Sequence, residues 1–222
     1  MSLLDPFHAP LLRDCWVRWG LRRVHYADRA RKLDLLYRAE NPWRMDSAQE
    51  QARFAWTNEV IATRLPRPEV LLEIGCGEGH QSQHLTRICG RLYGIDISPR
   101  AVQRARRRCV EATFATGDLF TFPFSDMPPV VDLVTACEVV YYVKDTARFI
   151  ERMSALGQAC LVTYYEGHAR MLDRHFAHLP GCERDRFNFG DVEWIAVWWR
   201  NGNQLETRNT DKYLIAKQRI DI

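Results

Sequence analysis

Long apolar runs are missing from this chain of 222 residues, and so is a marked excess of either charge. No stretch approaches the roughly 18 consecutive apolar residues that a membrane-spanning helix needs, and residues 1–6 show no basic segment leading into an apolar one. The net charge of +3 gives no reason to expect a nucleic-acid partner. These absences predict a cytoplasmic monomer or homodimer without a membrane span, and the length suits one α/β domain with a small appendage.

The chain also lacks the residue spacings of disulfide frameworks and metal sites. Its seven cysteines are scattered and include no Cys-x-x-Cys pair, which predicts reduced thiols that pack as small apolar groups. His80 and His84 have the i, i+4 spacing of zinc ligands, but no glutamate follows as in the metalloprotease pattern. We therefore expect no bound metal.

Strand-like and helix-like segments alternate from residue 69 onward. Apolar runs predict strands over residues 70–74, 91–96, 112–116, 130–137 and 159–165, and amphipathic segments predict helices over residues 79–89, 99–109 and 145–156. Such alternation implies right-handed crossovers and a parallel sheet with helices on both faces. Two further runs, residues 194–200 and 212–218, predict an antiparallel pair at the sheet edge.

The first 66 residues show helical spacing only. Residues 10–40 predict two amphipathic helices with a break near Gly20, and a third helix over residues 47–65 begins with the capping signal Ser47-x-x-Glu50. We therefore predict a helical cap or lid over residues 1–66 and a second domain over residues 67–222.

The most specific pattern is Glu73-x-Gly75-x-Gly77-x-Gly79, which follows the first predicted strand, with Asp96 at the end of the next strand. Glycines at a strand-to-helix turn allow a ligand to lie against bare backbone, and a carboxylate on the neighbouring strand suits a ribose diol. The phosphate-binding Gly-Lys-Ser/Thr sequence is absent, and a glutamate before the turn is a poor neighbour for pyrophosphate. The pattern therefore favours a cationic nucleoside cofactor.

These residues resemble motif I and its partner acid in class I S-adenosylmethionine-dependent methyltransferases. The resemblance implies a Rossmann-like, seven-stranded, mostly parallel sheet with a reversed edge strand, and S-adenosyl-L-methionine as cofactor. It places the glycine turn under the amino-acid part of the cofactor, Asp96 at the ribose and Asp118 at the adenine. The full set of implied cofactor-binding residues is Trp43, Glu73, Gly75, Cys76, Gly77, Gly79, His80, Asp96, Ile97, Asp118, Leu119 and Cys137.

A narrower resemblance rests on Asn41-Pro42-Trp43 and on Glu138-Val139-Val140-Tyr141-Tyr142. Both phrases are similar to those of NodS-type methyltransferases, which methylate the free amine of a chitooligosaccharide. The resemblance implies that the acceptor is a small molecule carrying an amine or hydroxyl, such as a sugar or oligosaccharide. The chain departs from the family pattern at Asn41, Met45 and Cys137, so the acceptor itself stays open.

Glu138, Tyr142 and His168 are the catalytic candidates, because all three follow strands at the edge of the sheet where ligands bind. Glu138 and His168 could accept a proton, and Tyr142, with Tyr141, Tyr164 and Tyr165, could form an aromatic wall or simply pack at strand ends. Cys137 is expected to be a structural thiol, since a Pro-Cys nucleophile motif is absent.

Two alternatives to a small-molecule methyltransferase remain open at this point. An RNA methyltransferase would be expected to carry a basic appended domain or a nucleobase motif after the fourth strand, and neither is present. A cofactor-binding partner subunit without turnover would be expected to lose motif I residues, and this chain keeps them. The arginines of the helix over residues 99–109 are expected to form a solvated face.

Overall fold

The computed structural model describes residues 29–125 and 127–201 of the chain. Its α-helices are α1 (Arg29–Leu36), α2 (Ala48–Arg64), α3 (Ser82–Leu85), α4 (Pro99–Arg108), α5 (Thr146–Leu156) and α6 (Ala169–Phe176), and short 3₁₀ helices span Val140–Tyr142 and Glu166–His168. Its strands are β1 (Val70–Ile74), β2 (Arg91–Asp96), β3 (Thr113–Thr116), β4 (Val131–Cys137), β5 (Gly157–Tyr165), β6 (Glu183–Phe189) and β7 (Val192–Arg200).

The seven strands form one sheet in the order β3-β2-β1-β4-β5-β7-β6. Strands β1 to β5 are parallel, whereas β7 runs antiparallel to both β5 and β6. The strand order reverses between β1 and β4, which is where open α/β sheets bind ligands. This arrangement confirms the Rossmann-like, mostly parallel sheet with a reversed strand in its edge region.

The antiparallel pair differs from the predicted one in its second member. Strand β7 pairs with β6 across the turn at Gly190, and its other side pairs with β5. Both edges of β7 are therefore occupied, so the predicted pairing of residues 194–200 with 212–218 is wrong; residues 212–218 themselves lie outside the described residues. Strand β6 was missed because its Glu183-Arg184-Asp185-Arg186 run alternates in charge rather than in hydrophobicity.

Helices cover the sheet on both faces, as buried parallel strands require. Phe149 and Met153 of α5 and Phe176 of α6 pack in the core on one face. Val60 and Ile61 of α2, together with helix α4, pack in the core on the other. Helix α2 thus shares a core with the strands. The division of the chain into a cap over residues 1–66 and a domain over residues 67–222 stays a prediction.

Polar side chains cap three of the helices where the sequence pattern suggested a start. Ser47, Ser98 and Asp145 each accept a hydrogen bond from a backbone N–H in the first turn of α2, α4 and α5. The predicted helix over residues 79–89 is shorter, because only Ser82–Leu85 is helical and turns flank it on both sides. Of the two helices predicted over residues 10–40, the described part contains α1, and residues 10–28 lie outside it.

The arginines of α4 bond within the chain. Arg100 pairs with Asp34, Arg104 pairs with Glu78, and the guanidinium of Arg106 donates to the carbonyl oxygen of Phe114. Arg108 donates to the backbone carbonyl of Glu78 at 3.0 Å. Arg104 and Arg108 thus brace the glycine turn through Glu78, while Arg100, Arg106 and Arg107 are exposed, as expected of a solvated face.

Gly79→Ala is expected to destabilise the fold by more than the strain of its backbone conformation alone. Gly79 has φ +79, and a Cβ there would lie 3.0 Å from the Cα of Ala105 in α4. The left-handed conformation costs about 1–2 kcal/mol, and the overpacking adds about 1–3 kcal/mol. The free energy of unfolding from urea titration measures the total.

Gly181→Ala is the matched control for this prediction. Gly181 has a similar φ of +63, but a Cβ there would meet nothing within 4 Å. Its alanine variant should therefore lose only the conformational part. Equal losses in the two variants would show that the contact between the glycine turn and α4 is not tight.

Candidate active site

A cavity of about 760 Å³ opens where β1, β2 and β4 end. Nearly all the residues predicted for the site line it: Trp43, Glu73, Gly75, Cys76, Gly77, His80, Asp96, Ile97, Asp118, Leu119, Cys137, Glu138 and Tyr142. Gly79 and His168 do not line it. Gly79 lies against α4, as described above, and the ring of His168 stacks on that of Tyr141 with 4.3 Å between centroids. Neither residue lines the cavity, although both were predicted to belong to the site.

The floor of the cavity is the glycine turn, held by the end of β2. The backbone N–H groups of Gly75 and Cys76 both donate to the carbonyl oxygen of Ile95, at 2.7 and 3.0 Å. The Asp96 carboxylate accepts from the N–H of Gly77 at 3.0 Å and from the N–H of Ser98 at 2.9 Å. Burial raises the pKa of Asp96 to about 6, although these backbone hydrogen bonds oppose the shift.

Glu73 is a second buried acid beneath the turn. Only 3% of it is exposed, and its carboxylate accepts a hydrogen bond from the hydroxyl of Ser82. Burial raises the pKa of Glu73 to about 8, with the Ser82 hydrogen bond opposing and the charge of Asp96 adding to the shift. A cation in the cavity would favour the ionised form of this acid.

A buried guanidinium that the sequence analysis missed faces these acids from α2. Arg53 is 1% exposed, forms an ion pair with Glu50 at 2.7 Å and donates to Oε1 of Gln81 at 3.0 Å. This bond orients the Gln81 amide, and its Nε2 is buried with no hydrogen-bond partner among the described residues. A buried donor without a partner is costly, so this nitrogen at the cavity wall points to a ligand acceptor.

Glu138 lies directly after β4 in a left-handed conformation, with φ 59. Its carboxylate accepts hydrogen bonds from the Tyr141 hydroxyl at 3.1 Å and the Thr163 hydroxyl at 3.3 Å. Burial raises the pKa of Glu138; Glu50 adds to the shift and Arg53 opposes it. The strained backbone turns this carboxylate into the cavity wall, at a cost usually seen at functional sites.

Aromatic rings continue from the cavity wall toward the surface. Trp43 lies 6.1 Å from Tyr142, Tyr142 lies 4.5 Å from Tyr141, and His168 follows behind Tyr141. Burial lowers the pKa of His168, so its ring is neutral near pH 7. Tyr164 belongs elsewhere: it is fully buried, its hydroxyl donates to Asp173, and it is a core residue rather than part of the wall.

The opposite end of the cavity is formed by the loop after β3. Asp118 is exposed and accepts a hydrogen bond from the N–H of Phe120 at 2.8 Å, while Leu119 is 3% exposed. Arg148 stacks over the ring of Phe120 at 4.8 Å. This end combines an acid with flat apolar surfaces, which suits a purine ring.

Within residues 29–125 and 127–201, no three His, Cys, Asp or Glu side chains come together to hold a metal ion. His84 is engaged otherwise, because its Nε2 lies 3.2 Å from Oε1 of Gln51 and its ring packs on Phe54. The helices in the same ranges include none that is long and apolar enough to cross a bilayer.

Comparison with known proteins identifies a family model and relatives that are similar to this chain. Residues 72–157 match the family model described as a methyltransferase domain. Nodulation protein S of Sinorhizobium fredii is 34% identical over 152 residues, which are 65% of this chain and 68% of the relative. A Streptomyces venezuelae dTDP-3-amino-3,4,6-trideoxy-alpha-D-glucopyranose N,N-dimethyltransferase is 29% identical over 99 residues, which are 45% of this chain and 39% of that enzyme.

A solved structure shares the fold. The N-methyltransferase NodS from Bradyrhizobium japonicum WM9, in complex with S-adenosyl-L-homocysteine, superimposes with a TM-score of 0.66 and 22% identity. The match covers 78% of this chain and 98% of that one.

The sheet, the glycine turn with its acids and the matched domain define an S-adenosylmethionine-dependent methyltransferase. Sequence similarity then identifies the family of methyltransferases to which the chain belongs. The chain belongs to the nodulation protein S family.

The affinity for S-adenosylhomocysteine is expected to rise with pH through about 6 and to level off above 7. We expect ribose hydroxyls to donate to the ionised Asp96, whose pKa near 6 leaves about a tenth of it ionised at pH 5. Calorimetric titration should therefore give a Kd roughly tenfold weaker at pH 5 than at pH 7.

Asp96→Asn supplies the control for the pH series. The amide keeps an acceptor for one backbone N–H but cannot ionise, so its affinity should be weaker and nearly flat between pH 5 and 7. A variant that keeps the wild-type slope would assign the titration to another group.

Proposed function

We propose that this enzyme transfers methyl groups to the amine of an amino sugar or amino-bearing oligosaccharide. The observation that carries the proposal is the Glu138 carboxylate, which stands at the cavity wall beside the rings of Tyr141 and Tyr142. A carboxylate suits an amine that must lose a proton, and aromatic faces suit a sugar ring or a cation. The names of two relatives support it: one is an N-methyltransferase, the other an amino-sugar N,N-dimethyltransferase.

The cavity residues fit S-adenosylmethionine along its whole length. At one end, the orphaned Nε2 of Gln81 and the guanidinium of Arg53 suit the cofactor carboxylate. Asp96 suits the ribose hydroxyls, and Asp118 with Leu119 suits the adenine. His80, Cys76, Ile97 and Cys137 would complete the wall around it.

The buried acids suit the charge of this cofactor. Glu73 and Asp96 lie at the ends of β1 and β2, and Glu138 directly follows β4, the other neighbour of β1. When bound, S-adenosylmethionine supplies a methyl group that its sulfonium has already activated. The chain then has little bond-breaking work to do, and orientation of the two reactants supplies most of the acceleration.

Glu138 is the residue we assign to the proton of the acceptor. Its raised pKa makes it a better proton acceptor near neutral pH than an exposed carboxylate would be. Tyr141 and Thr163 donate to its two oxygens and so hold its position. Trp43 and Tyr142 would hold the sugar ring beside it, whereas His168 stands behind Tyr141 and supports that wall without touching the acceptor.

The RNA alternative gains nothing from helix α4. Four of its five arginines bond within the fold, to Asp34, to Glu78 and to the carbonyl of Phe114. A small-molecule acceptor remains the better proposal.

Methyl transfer to a panel of paired acceptors tests the proposed substrate class. Free amino sugars and their oligomers should accept a methyl group, whereas the N-acetylated counterparts, whose amide nitrogen is a poor nucleophile, should not. Mass spectrometry of the products locates the methyl group. Methylation of a hydroxyl in the acetylated sugars, with the free amine left untouched, would overturn N-methylation.

Glu138→Gln should lower kcat by about 10²–10⁴-fold, the range for loss of a general base, because the amide cannot take up the proton. The amide oxygen still accepts from Tyr141, so the affinity for S-adenosylhomocysteine should stay close to wild type. Glu151→Gln, an exposed position on α5, is the matched control and should leave both quantities unchanged. A Glu138→Gln variant with wild-type kcat would remove this residue from the chemistry.

A further inference from the structure

The segment between α1 and α2 lies over the glycine turn; we call residues 37–46 the strap. Tyr37, Trp43 and Met45 of the strap line the cavity. The Tyr37 hydroxyl lies 3.0 Å from the point that a Cβ on Gly77 would occupy, and it accepts a hydrogen bond from Nε1 of Trp43 at 3.2 Å. The strap therefore forms one wall of the cofactor site and sits in contact with its floor.

The strap has a defined shape that its own residues maintain. Asn41 and Arg44 are non-glycine residues with φ 48 and 55, a conformation that costs free energy unless local bonds support it. The Asn41 side chain supplies such bonds: its oxygen accepts from the N–H of Met45 at 2.6 Å, and its nitrogen donates to Asp46. The segment can thus be held or released as a unit.

Glu78 joins this unit to the rest of the site. It lies between Gly77 and Gly79 in the turn and is 4% exposed. One carboxylate oxygen accepts from the strap N–H of Asn41 at 2.9 Å, and the other pairs with Arg104 of α4. Arg104 in turn donates to the carbonyl of Ala39 at 3.0 Å. Glu78 and Arg104 therefore each bond to the backbone of the strap.

The ionised form of Glu78 is the one that this arrangement favours. Burial alone would raise the pKa of Glu78, but the His80 ring, whose Nε2 lies 3.5 Å from the carboxylate, and the Arg104 guanidinium outweigh it and lower the pKa. None of the steps assigned above to methyl transfer uses this carboxylate. A buried, ionised acid that contacts His80, the strap and α4 calls for a separate role.

We propose that Glu78 is a positioning residue that, with Arg104, holds the strap closed over the bound cofactor, so that cofactor release requires this pair to separate. Asp34 of α1 bonds separately to Ser98 and Arg100, so the preceding helix stays attached to α4 when the strap opens. The proposal concerns cofactor retention alone and holds whatever the acceptor is.

Dissociation of S-adenosylhomocysteine, followed by stopped-flow displacement, tests it. Glu78→Gln should release the ligand roughly tenfold faster and raise the KM for S-adenosylmethionine, with kcat at saturation little changed, since loss of a buried charge partner acts mainly on dissociation. Arg104→Met should have a similar effect, the double variant little more than either, and Arg104→Lys should recover part of it.

Glu193→Gln is the matched control, because it breaks a Glu–Arg pair with Arg186 in the β6–β7 hairpin, which does not line the cavity. Its dissociation rate should equal that of wild type. Hydrogen exchange should also show faster exchange in residues 37–46 of Glu78→Gln and not in Glu193→Gln, which a general loss of stability would not produce.

If S-adenosylhomocysteine leaves Glu78→Gln at the wild-type rate, the proposal is overturned. An equal increase of the dissociation rate in Glu193→Gln would also overturn it. Should Glu78→Gln fail to fold, Arg104→Met carries the same test, because the Arg104 side chain is 20% exposed and Glu78 keeps the N–H of Asn41 as a partner. Unchanged dissociation in that variant would likewise overturn it.

Discussion

The Asp96 carboxylate is the contact on which the site depends. Parallel pairing brings the ends of β1 and β2 side by side, and this single acid then bonds the Gly77 N–H in one turn and the Ser98 N–H at the start of α4. Each of these N–H groups lies at the end of a turn or a helix. Without the carboxylate it would lack a hydrogen-bond partner. The position of the glycine turn, the approach of α4 to Gly79 and the location of Glu78 all follow from it.

Charge balance is the second organising feature of the cavity. Burial raises the pKa of Glu73 to about 8 and that of Asp96 to about 6. Each therefore stabilises the folded state in its neutral form, and this contribution is lost as pH rises through those values. Arg53 is a buried cation whose charge opposes the shift at Glu73, and it is already paired with Glu50. A cationic cofactor would favour the ionised forms of both acids, so cofactor binding and their ionisation are coupled.

Local patterns were sufficient for much of the fold. Apolar runs ending at glycine or an acid located β1 to β5, and the capping signal at Ser47 located the start of α2, because each signal lies within a few residues of its effect. The same reasoning failed for β6, whose charged run resembles a loop, and for the helix over 79–89, which turns on both sides shorten to Ser82–Leu85. It also placed Gly79 and His168 in the cavity, whereas Gly79 packs on α4 and His168 stacks behind Tyr141.

The sequence by itself indicated the cofactor class, because its glycine turn and strand-end acids resemble motif I and its partner acid in S-adenosylmethionine-dependent methyltransferases. It also determined the parallel character of the sheet. Only the tertiary structure decided that Arg53 and Gln81 face the same cavity, that Thr163 of β5 donates to Glu138, and that Glu78 bonds to the strap. These contacts join residues 25 to 37 positions apart, and their partners are chosen by how strands pair and helices pack on the sheet, which no local pattern encodes.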